Sequence, residues 1–449
     1  MADFPVPPGP KGFLPGGQLL LFRRTPDNFL QLARDYGDVV HFQVGPQRFY
    51  LFNEPDHIRE VLVTREECFE KGWGPQRGHS LMGEGLVTSE GTHHRRQRRL
   101  MQPAFHRARF EACAATVVRL GAEFVEKLPE GQAIDIWREI MRLTLTITNE
   151  SLFDTDVTRE VDEVIAATAT VFDRFNRWMF PYAGLLRKFF ALGKGRYEEA
   201  LQRLDNVIYC LIAERRESNE DHDDLLSILM AARDEEGDRG GMSERELRDE
   251  VATLFIASHE TIASALAWTS FLISQHAEVE ARLHEELDRE LAGRSPTAGD
   301  YSRLAFTQQV FTEAMRLYPP VWMLGRRAIK ECEVGGYTLP RGSIALVSPY
   351  VTHRDARHYP DPERFDPERW RPEARAALPQ FAYFPFGGGA RRCIGEGFAW
   401  MEGVLLLATL ASRWRMRLAA GADVQMQPLF VLRPKSGVSV ILKRRRRWS

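Results

Sequence analysis

The amino-acid sequence predicts a mainly α-helical protein with small β-sheets, and three stretches carry that expectation. From Ser243 to about Gln275 apolar residues recur at helical spacing with no proline; at 1.5 Å per residue, ~33 residues would span ~50 Å and cross the whole molecule. From about residue 104 to about 235 the pattern is again overwhelmingly helical. Strand-like runs are short by contrast: Val39 to Val44 and Arg48 to Phe52 flank a Gly45-Pro46 turn and form the first expected sheet.

Length and composition narrow the class. At ~150 residues per domain, 449 residues would suggest about three domains, but no linker divides the chain. A single domain over 1–449 is expected, with a proline-rich lead-in at 1–16 and a basic tail at 443–449. With 60 Lys+Arg against 62 Asp+Glu, the formal net charge of −2 does not advertise nucleic-acid binding. Five cysteines, Cys68, Cys113, Cys210, Cys332 and Cys393, are scattered without paired spacing, as in a reducing compartment. No apolar run approaches the ~18 residues of a membrane span and no signal peptide is evident. A soluble, cytoplasmic protein is expected.

The elements follow in order. Pro5 to Pro10 reads as a stiff extended lead-in, and Phe29, Leu30, Leu32 and Ala33 as a helix over about 26–36. Residues from about 72 to 91 are glycine-rich and read as a long loop, which in a compact protein is often functional. In the following run, His94 and Arg98 share a helix face at i, i+4, with Arg95 and Arg99 on an adjacent one. Trp178 to Tyr182 is an aromatic cluster broken by Pro181, suited equally to core or to the roof of a substrate cavity. Arg216 to Asp224 and Asp234 to Gly241 read as exposed loops.

Ser243-Glu244-Arg245-Glu246 is a capping box that starts the long helix. Within its apolar middle, Glu260 is an acid in a setting where charge is rarely buried without reason, beside Thr261. The alternative is a threonine bonding back to the i−4 carbonyl with a surface glutamate next to it. After Pro296 a helix carries Glu313 and Arg316 as E-x-x-R, by itself an ordinary i, i+3 pair. Val321 to Arg327, Gly335 to Leu339 and Ser343 to Val347 read as short strands, and Asp361 to Trp370 as a tandem P-E-R-aromatic segment. After Cys393 the chain finishes with a helix and a few strands, and the basic tail reads as a solvated end.

The most informative stretch is Phe386-Gly387-Gly388-Gly389-Ala390-Arg391-Arg392-Cys393-Ile394-Gly395, followed at once by an apolar helical run. The loop delivers Cys393 to a helix start, where unpaired N–H groups and the helix dipole favour an anionic sulfur, a metal ligand or a nucleophile. The glycines let the backbone pass close to something flat and bulky, and Arg391 can reach an anionic edge of it. An inert buried cysteine is the bland reading.

Read as F-x-x-G-x-R-x-C-x-G, this stretch resembles the haem-binding loop of the cytochrome P450 family, with Phe386, Gly389, Arg391, Cys393 and Gly395 in its fixed positions. Three further motifs keep the family's order. Ala257 and Glu260-Thr261 resemble its oxygen-activating A-G-x-[DE]-T, with Ser258 where glycine is usual. Glu313 and Arg316 match E-x-x-R, and the later segment supplies Arg369. His94 and Arg98 stand where many members have Trp-x-x-x-Arg.

The resemblance implies the P450 fold, a compact chain around a buried haem b, and a soluble bacterial-type haem-thiolate monooxygenase that hydroxylates a C–H bond using dioxygen. It implies Cys393 as iron ligand; His94, Arg98, Arg326 and Arg391 as haem propionate or edge contacts; Glu260 and Thr261 as proton organisers. Ser258 departs from the family pattern, and its added hydroxyl offers a further group to the water chain beside that pair. Glu313, Arg316 and Arg369 become a structural triad. Leu86, residues from Phe175 to Tyr182, Ala257, Val321, Leu324 and Val431 become walls of a pocket for a lipophilic substrate such as a fatty acid, terpenoid or steroid. Electrons would come ultimately from NAD(P)H through a separate ferredoxin or flavodoxin-type donor docking on Arg95, Arg96, Arg99 and Arg392, and a monomer is expected. Other classes remain: a haem-thiolate peroxygenase or peroxide isomerase, a non-catalytic haem sensor, or, without haem, a cysteine-nucleophile hydrolase needing a histidine base near Cys393.

Overall fold

The structure, a computed structural model, describes residues 6–10, 26–72, 78–153, 167, 170–171, 194–217, 224–237 and 239–445; the aromatic cluster Trp178 to Tyr182 lies outside these. Helices of seven residues and longer are α1 (Asp27–Tyr36), α2 (Gly91–Met101), α3 (Arg107–Lys127), α4 (Ile136–Phe153), α5 (Lys194–Glu217), α6 (Leu225–Ala231), α7 (Glu244–Gln275), α8 (Ala277–Leu291), α9 (Ala305–Leu317) and α10 (Glu396–Arg413). The strands are β1 (Val39–Val44), β2 (Gln47–Phe52), β3 (Phe69–Glu70), β4 (Ala133–Asp135), β5 (Leu324–Ala328), β6 (Cys332–Val334), β7 (Tyr337–Leu339), β8 (Ile344–Val347), β9 (Trp414–Leu418), β10 (Met426–Pro428), β11 (Leu432–Pro434) and β12 (Ser439–Arg444). They form a five-stranded sheet in the order β1-β2-β8-β5-β3, a three-stranded sheet β4-β12-β9, and the hairpins β6-β7 and β10-β11.

Helix α7 organises the rest. Its start is the expected capping box: Ser243 N–H donates to Glu246 Oε2 at 2.7 Å, and Glu246 N–H to Ser243 Oγ at 3.3 Å. It packs along α4 and against α5, α9 and α10. Although α7 is long and apolar enough to cross a membrane, 83% of its most apolar window is buried inside the protein, as befits a central core helix. Helix α10 is buried from Met401 to Ala411 and packs on α3, so the element that follows Cys393 is itself locked in the core. Within it, Gly403 is required by contact: a Cβ there would lie 2.3 Å from the Phe311 ring of α9.

Several expectations change. Gly335 and Gly336, taken as the start of a strand, form the β6–β7 turn with φ of 59° and 77°, and β6 itself is an additional strand. The basic tail does not begin as a solvated end. Lys443 and Arg444 pair with β9, and the Arg445 guanidinium donates to Asp288 at 2.7 Å and to the carbonyls of Ala411 and Ser412. Asp234 opens its loop buried rather than exposed, because Arg99 donates to both of its oxygens at 2.9 and 2.8 Å.

Candidate active site

The cysteine loop is shaped by contacts that leave no room for side chains. Gly387 and Gly389 have φ of 72° and 66°, and a Cβ on Gly389 would fall 2.0 Å from the Leu62 carbonyl oxygen. A Cβ on Gly388 would lie 2.6 Å from the Phe381 ring. Cys393 N–H donates to the Phe386 carbonyl at 3.0 Å and closes the loop, while the Phe386 ring packs on Trp400 of α10. Gly395 differs: its φ is −87°, and the nearest atom to a Cβ would be 3.9 Å away, so the protein's own contacts do not demand glycine there.

Cys393 as a residue keeps accessible surface, although its thiol is densely surrounded by protein. Burial pushes its thiol up to about 11, outweighing the Gly395 backbone bond and the guanidinium groups of Arg98 and Arg392. The helix start expected to sustain a free thiolate is therefore insufficient, and a metal on the sulfur is what would deprotonate it. The charged groups that shift Cys393 most are Glu396, Arg98 and Arg392, so the histidine base a cysteine hydrolase needs is not among them.

Beside the loop lies a cluster of basic side chains from separate elements. His94 and Arg98 come from α2, Arg326 from β5, Arg391 from the loop, and Lys71 from just beyond β3. Arg98 donates to the Arg392 carbonyl at 2.7 Å. Arg391 donates to the Ser89 carbonyl at 2.6 Å and pairs with Glu90. Arg326, 8% exposed, donates only to the carbonyl of adjacent Gly325 among the described residues. Burial followed by the Arg391 charge lowers Arg326 to about 10 and His94 to about 3, with Lys71 and Arg98 also acting on His94. The same two causes hold Lys71 well below its ordinary range.

The carboxylates within reach of this cluster are Glu90 and Glu66, with Glu250 acting on Lys71 alone. Glu90 is already shared between Arg391 and the Lys71 backbone N–H, so cationic groups exceed anionic ones in a poorly solvated place. Two carboxylates on a flat ligand resting on the glycine loop would restore the balance, and the donor set therefore fits haem. Lys71 was not recognised in the sequence, where nothing local marks it.

Across α7 the pattern of exposure is informative. The helix is buried on both sides of its middle, yet Ala257 is exposed and Ser258 and Thr261 are half-buried. Thr261 Oγ1 donates back to the Ala257 carbonyl at 2.9 Å, as the bland reading has it, leaving its oxygen free to accept. The glutamate half of that reading fails, since Glu260 is 5% exposed. Its Oε1 lies 3.6 Å from Arg433 Nη1 of β11, its Oε2 has no partner, and burial, opposed by Arg433, pushes it up to about 7. Arg433 was not anticipated from sequence because it stands 173 positions further on, in a strand chosen by the fold. The Ser258 hydroxyl accepts from Thr148 of α4 at 3.0 Å and donates to the Phe255 carbonyl at 3.3 Å.

Glu313, Arg316 and Arg369 are brought together, with unequal contacts. Arg316 donates twice to Glu313 at 2.8 Å, whereas Arg369 Nε stands 3.5 Å away. Trp370 Nε1, at 2.8 Å, and Asp366 N–H, at 3.0 Å, complete the carboxylate's shell. Of the pocket residues, Leu86 is buried in one apolar cluster with Phe255, against which Val87, Ile394 and Phe430 also pack. Val321 and Leu324 are half-buried, and Val431 is buried at the turn of the β10–β11 hairpin. The docking face is reduced: Arg96 and Arg99 are committed to Glu246 and Asp234, and Arg392 to Glu396, leaving Arg95 exposed.

Comparison with known proteins converges on this geometry. The family model described as Cytochrome P450 matches residues 7–442. The chain is 40% identical to cyclooctatin synthase of Streptomyces melanosporofaciens, over 93% of this chain and 92% of that one. It is 38% identical to cyclooctat-9-en-7-ol 5-monooxygenase of the same species (94% and 92% covered) and 38% identical to pentalenene oxygenase of Streptomyces avermitilis (90% and 89% covered). A solved structure of retinoic-acid-bound cyanobacterial CYP120A1 superposes with a TM-score of 0.87 at 25% identity, covering 99% of this chain and all of that one. The whole-length match, the cysteine loop and the surplus of buried cations agree: the chain belongs to the cytochrome P450 family, as a haem-thiolate monooxygenase.

Proposed function

We propose that this chain hydroxylates a lipophilic small molecule of terpenoid type, with electrons drawn ultimately from NAD(P)H through a separate ferredoxin or flavodoxin-type protein. The carrying observation is the open face of α7: Ala257 stands exposed and Thr261 half-buried within an otherwise buried helix, with a buried acid at Glu260 behind them. The names of the Streptomyces relatives, an oxygenase of pentalenene and a monooxygenase of cyclooctat-9-en-7-ol, support the terpenoid class.

Haem held by a cysteine thiolate supplies the oxygen chemistry, since an electron-rich sulfur favours O–O cleavage over reversible oxygen binding. The residues divide the remaining work. Cys393 would supply the thiolate that holds the haem iron, and Phe386, Gly389 and Gly395 would shape its loop. His94, Arg98, Arg326 and Arg391, joined by Lys71, neutralise and orient the propionate edge. Glu260 releases and recovers a proton near neutral pH, and Thr261 offers an acceptor oxygen toward the open side of the helix. Glu313, Arg316 and Arg369 hold the segment behind the loop. Leu86, Ala257, Val321, Leu324 and Val431 supply an apolar wall. The protein acts as a monomer in the cytoplasm.

The test is a spectral titration with terpenes, fatty acids and steroids, followed by turnover with NAD(P)H, reductase and ferredoxin. A low-to-high-spin shift with a terpenoid and a hydroxylated product are expected. Product formed with added peroxide alone, and none with dioxygen and reductant, would move the chain to the peroxygenase class. Cys393→Ala should abolish the red-shifted Soret band of the reduced carbon monoxide complex.

A further inference from the structure

Residues 83–88 contain no helix or strand, yet charged side chains hold their backbone from two sides. From α7, Asp249 Oδ2 accepts the Glu84 N–H at 2.8 Å and Glu250 Oε2 accepts the Leu86 N–H at 2.9 Å. From beyond β3, the Lys71 ammonium donates to the carbonyls of Leu86 and Val87 at 3.3 and 2.6 Å. Leu86 is therefore held at both of its backbone polar groups, the N–H by an acid and the carbonyl by a base. Glycine permits the close approach: Gly83 has φ of 49°, a Cβ on it would lie 2.0 Å from the Asp249 carboxylate, and a Cβ on Gly85 would lie 2.2 Å from Thr253 Oγ1. Glu250 is fully buried and its second oxygen has no partner. An apolar side chain would serve better there if packing were the sole requirement.

We propose that Asp249, Glu250 and Lys71 are positioning residues for substrate specificity: standing behind Leu86 and Val87, they set where that stretch of the cavity wall lies. The proposal rests on the reading of Leu86 as a substrate contact. It explains why three ionisable groups are spent on a short irregular segment whose own internal bonds, such as Thr88 Oγ1 to the Gly83 carbonyl at 2.7 Å, are few. Burial pushes Glu250 up to about 8, so a neutral acceptor suffices and glutamine is a close substitute for it.

The experiment uses the haem-loaded full chain and two readouts. In hydrogen exchange of the wild-type protein, the Leu86 amide should be slower by about tenfold than the Val87 amide, for which no acceptor is found among the described residues. Equal rates overturn the clamp without any variant. Glu250→Gln should keep the Leu86 protection to within about twofold and Glu250→Leu should lose it. The second readout is optical titration with n-alkylimidazoles of graded chain length, which requires no turnover. The length optimum should survive in Glu250→Gln and flatten by about threefold or more in Glu250→Leu. Faster exchange with an unchanged length profile would show that the clamp is structural and overturn the specificity role, while leaving the monooxygenase reading intact. Should Glu250→Leu not load haem, Asp249→Asn, which keeps an acceptor for the Glu84 N–H, against Asp249→Leu, which removes it, supplies the same contrast read at the Glu84 amide.

Discussion

Two buried clusters of charge in this chain use the same residue types and balance in opposite ways. Around Glu313, Arg316 has all five guanidinium N–H groups bonded: two to Glu313 and one each to the carbonyls of His353, Pro362 and Arg364. Around Lys71, His94, Arg98, Arg326 and Arg391 the charges do not close, and Arg326 donates only to its neighbour's carbonyl among the described residues. The difference teaches a criterion. A buried cluster that satisfies itself is structural, whereas one that keeps a surplus of one sign is shaped for a ligand of the other sign.

The largest expected effect tests the closed cluster. Glu313→Ala strands a fully buried Arg316 and should cost ~3–5 kcal/mol, leaving mostly aggregated protein or a strongly lowered urea midpoint. Arg369→Ala should cost less, because its 3.5 Å contact is the loosest around that carboxylate. A wild-type midpoint for Glu313→Ala would break the comparison.

The open cluster should respond with the opposite sign. Arg326→Leu removes an uncompensated buried charge, so the apoprotein should hold its stability or gain ~1 kcal/mol, while haem transfer to apomyoglobin speeds by about tenfold or more. Parallel losses in both measurements would place Arg326 with the structural group.

Next in size is a pH effect. His94 is lowered in the folded chain to about 3, so between there and its unfolded value of 6.5 the unfolded state binds more protons. Stability from this group is therefore present above pH 6.5 and lost as pH falls toward 3. His94→Gln should flatten that part of the apoprotein's urea-midpoint profile. Haem propionates beside His94 should raise its pKa and shrink the slope in the holoprotein; an identical slope in both forms would count against that contact.

Glu260 and Arg433 stand between the extremes, with one carboxylate oxygen 3.6 Å from the guanidinium and the other unpartnered. Arg433 opposes the burial that lifts Glu260 to about 7, so Arg433→Gln should raise it further. The infrared carboxylic-acid band of this residue should then titrate at higher pH than in the wild type. Thr261→Ala should keep the substrate-induced spin shift and NAD(P)H consumption but divert reducing equivalents to hydrogen peroxide, read as product per nicotinamide consumed. The smallest expected effect is Ser258→Gly, which loses the Thr148 bond and gains backbone freedom for ~1–2 kcal/mol of stability, with coupling unchanged.

Legibility from sequence followed how local each signal is. The capping box at Ser243 and Glu246, the helix over Asp27–Tyr36 and the hairpin of β1 and β2 are written within a few residues of themselves. The hairpin turn at Gly335-Gly336 was misplaced by its own brevity, since three-residue strands such as β6 carry too little alternation to read. Among site residues, Cys393 stands out by its glycine-rich loop at a helix start, and Glu260 because an acid conflicts with its apolar neighbours. Lys71 and Arg433 did not, because an isolated lysine or arginine reads as surface until the fold encloses it.

The sequence by itself determined the glycine-rich cysteine loop, the central helix and the membership of the family, since glycine spacing, helical period and a lone cysteine are properties of contiguous residues. Tertiary structure alone decided which charges are partnered. It engaged the tail's Arg445 with Asp288, paired Arg99 with Asp234, turned Ser258 toward Thr148, and left Arg326 with no side-chain acceptor among the described residues. The physical reason is that the energy of a charge depends on burial and on neighbours brought from distant segments, quantities that no local stretch of residues contains.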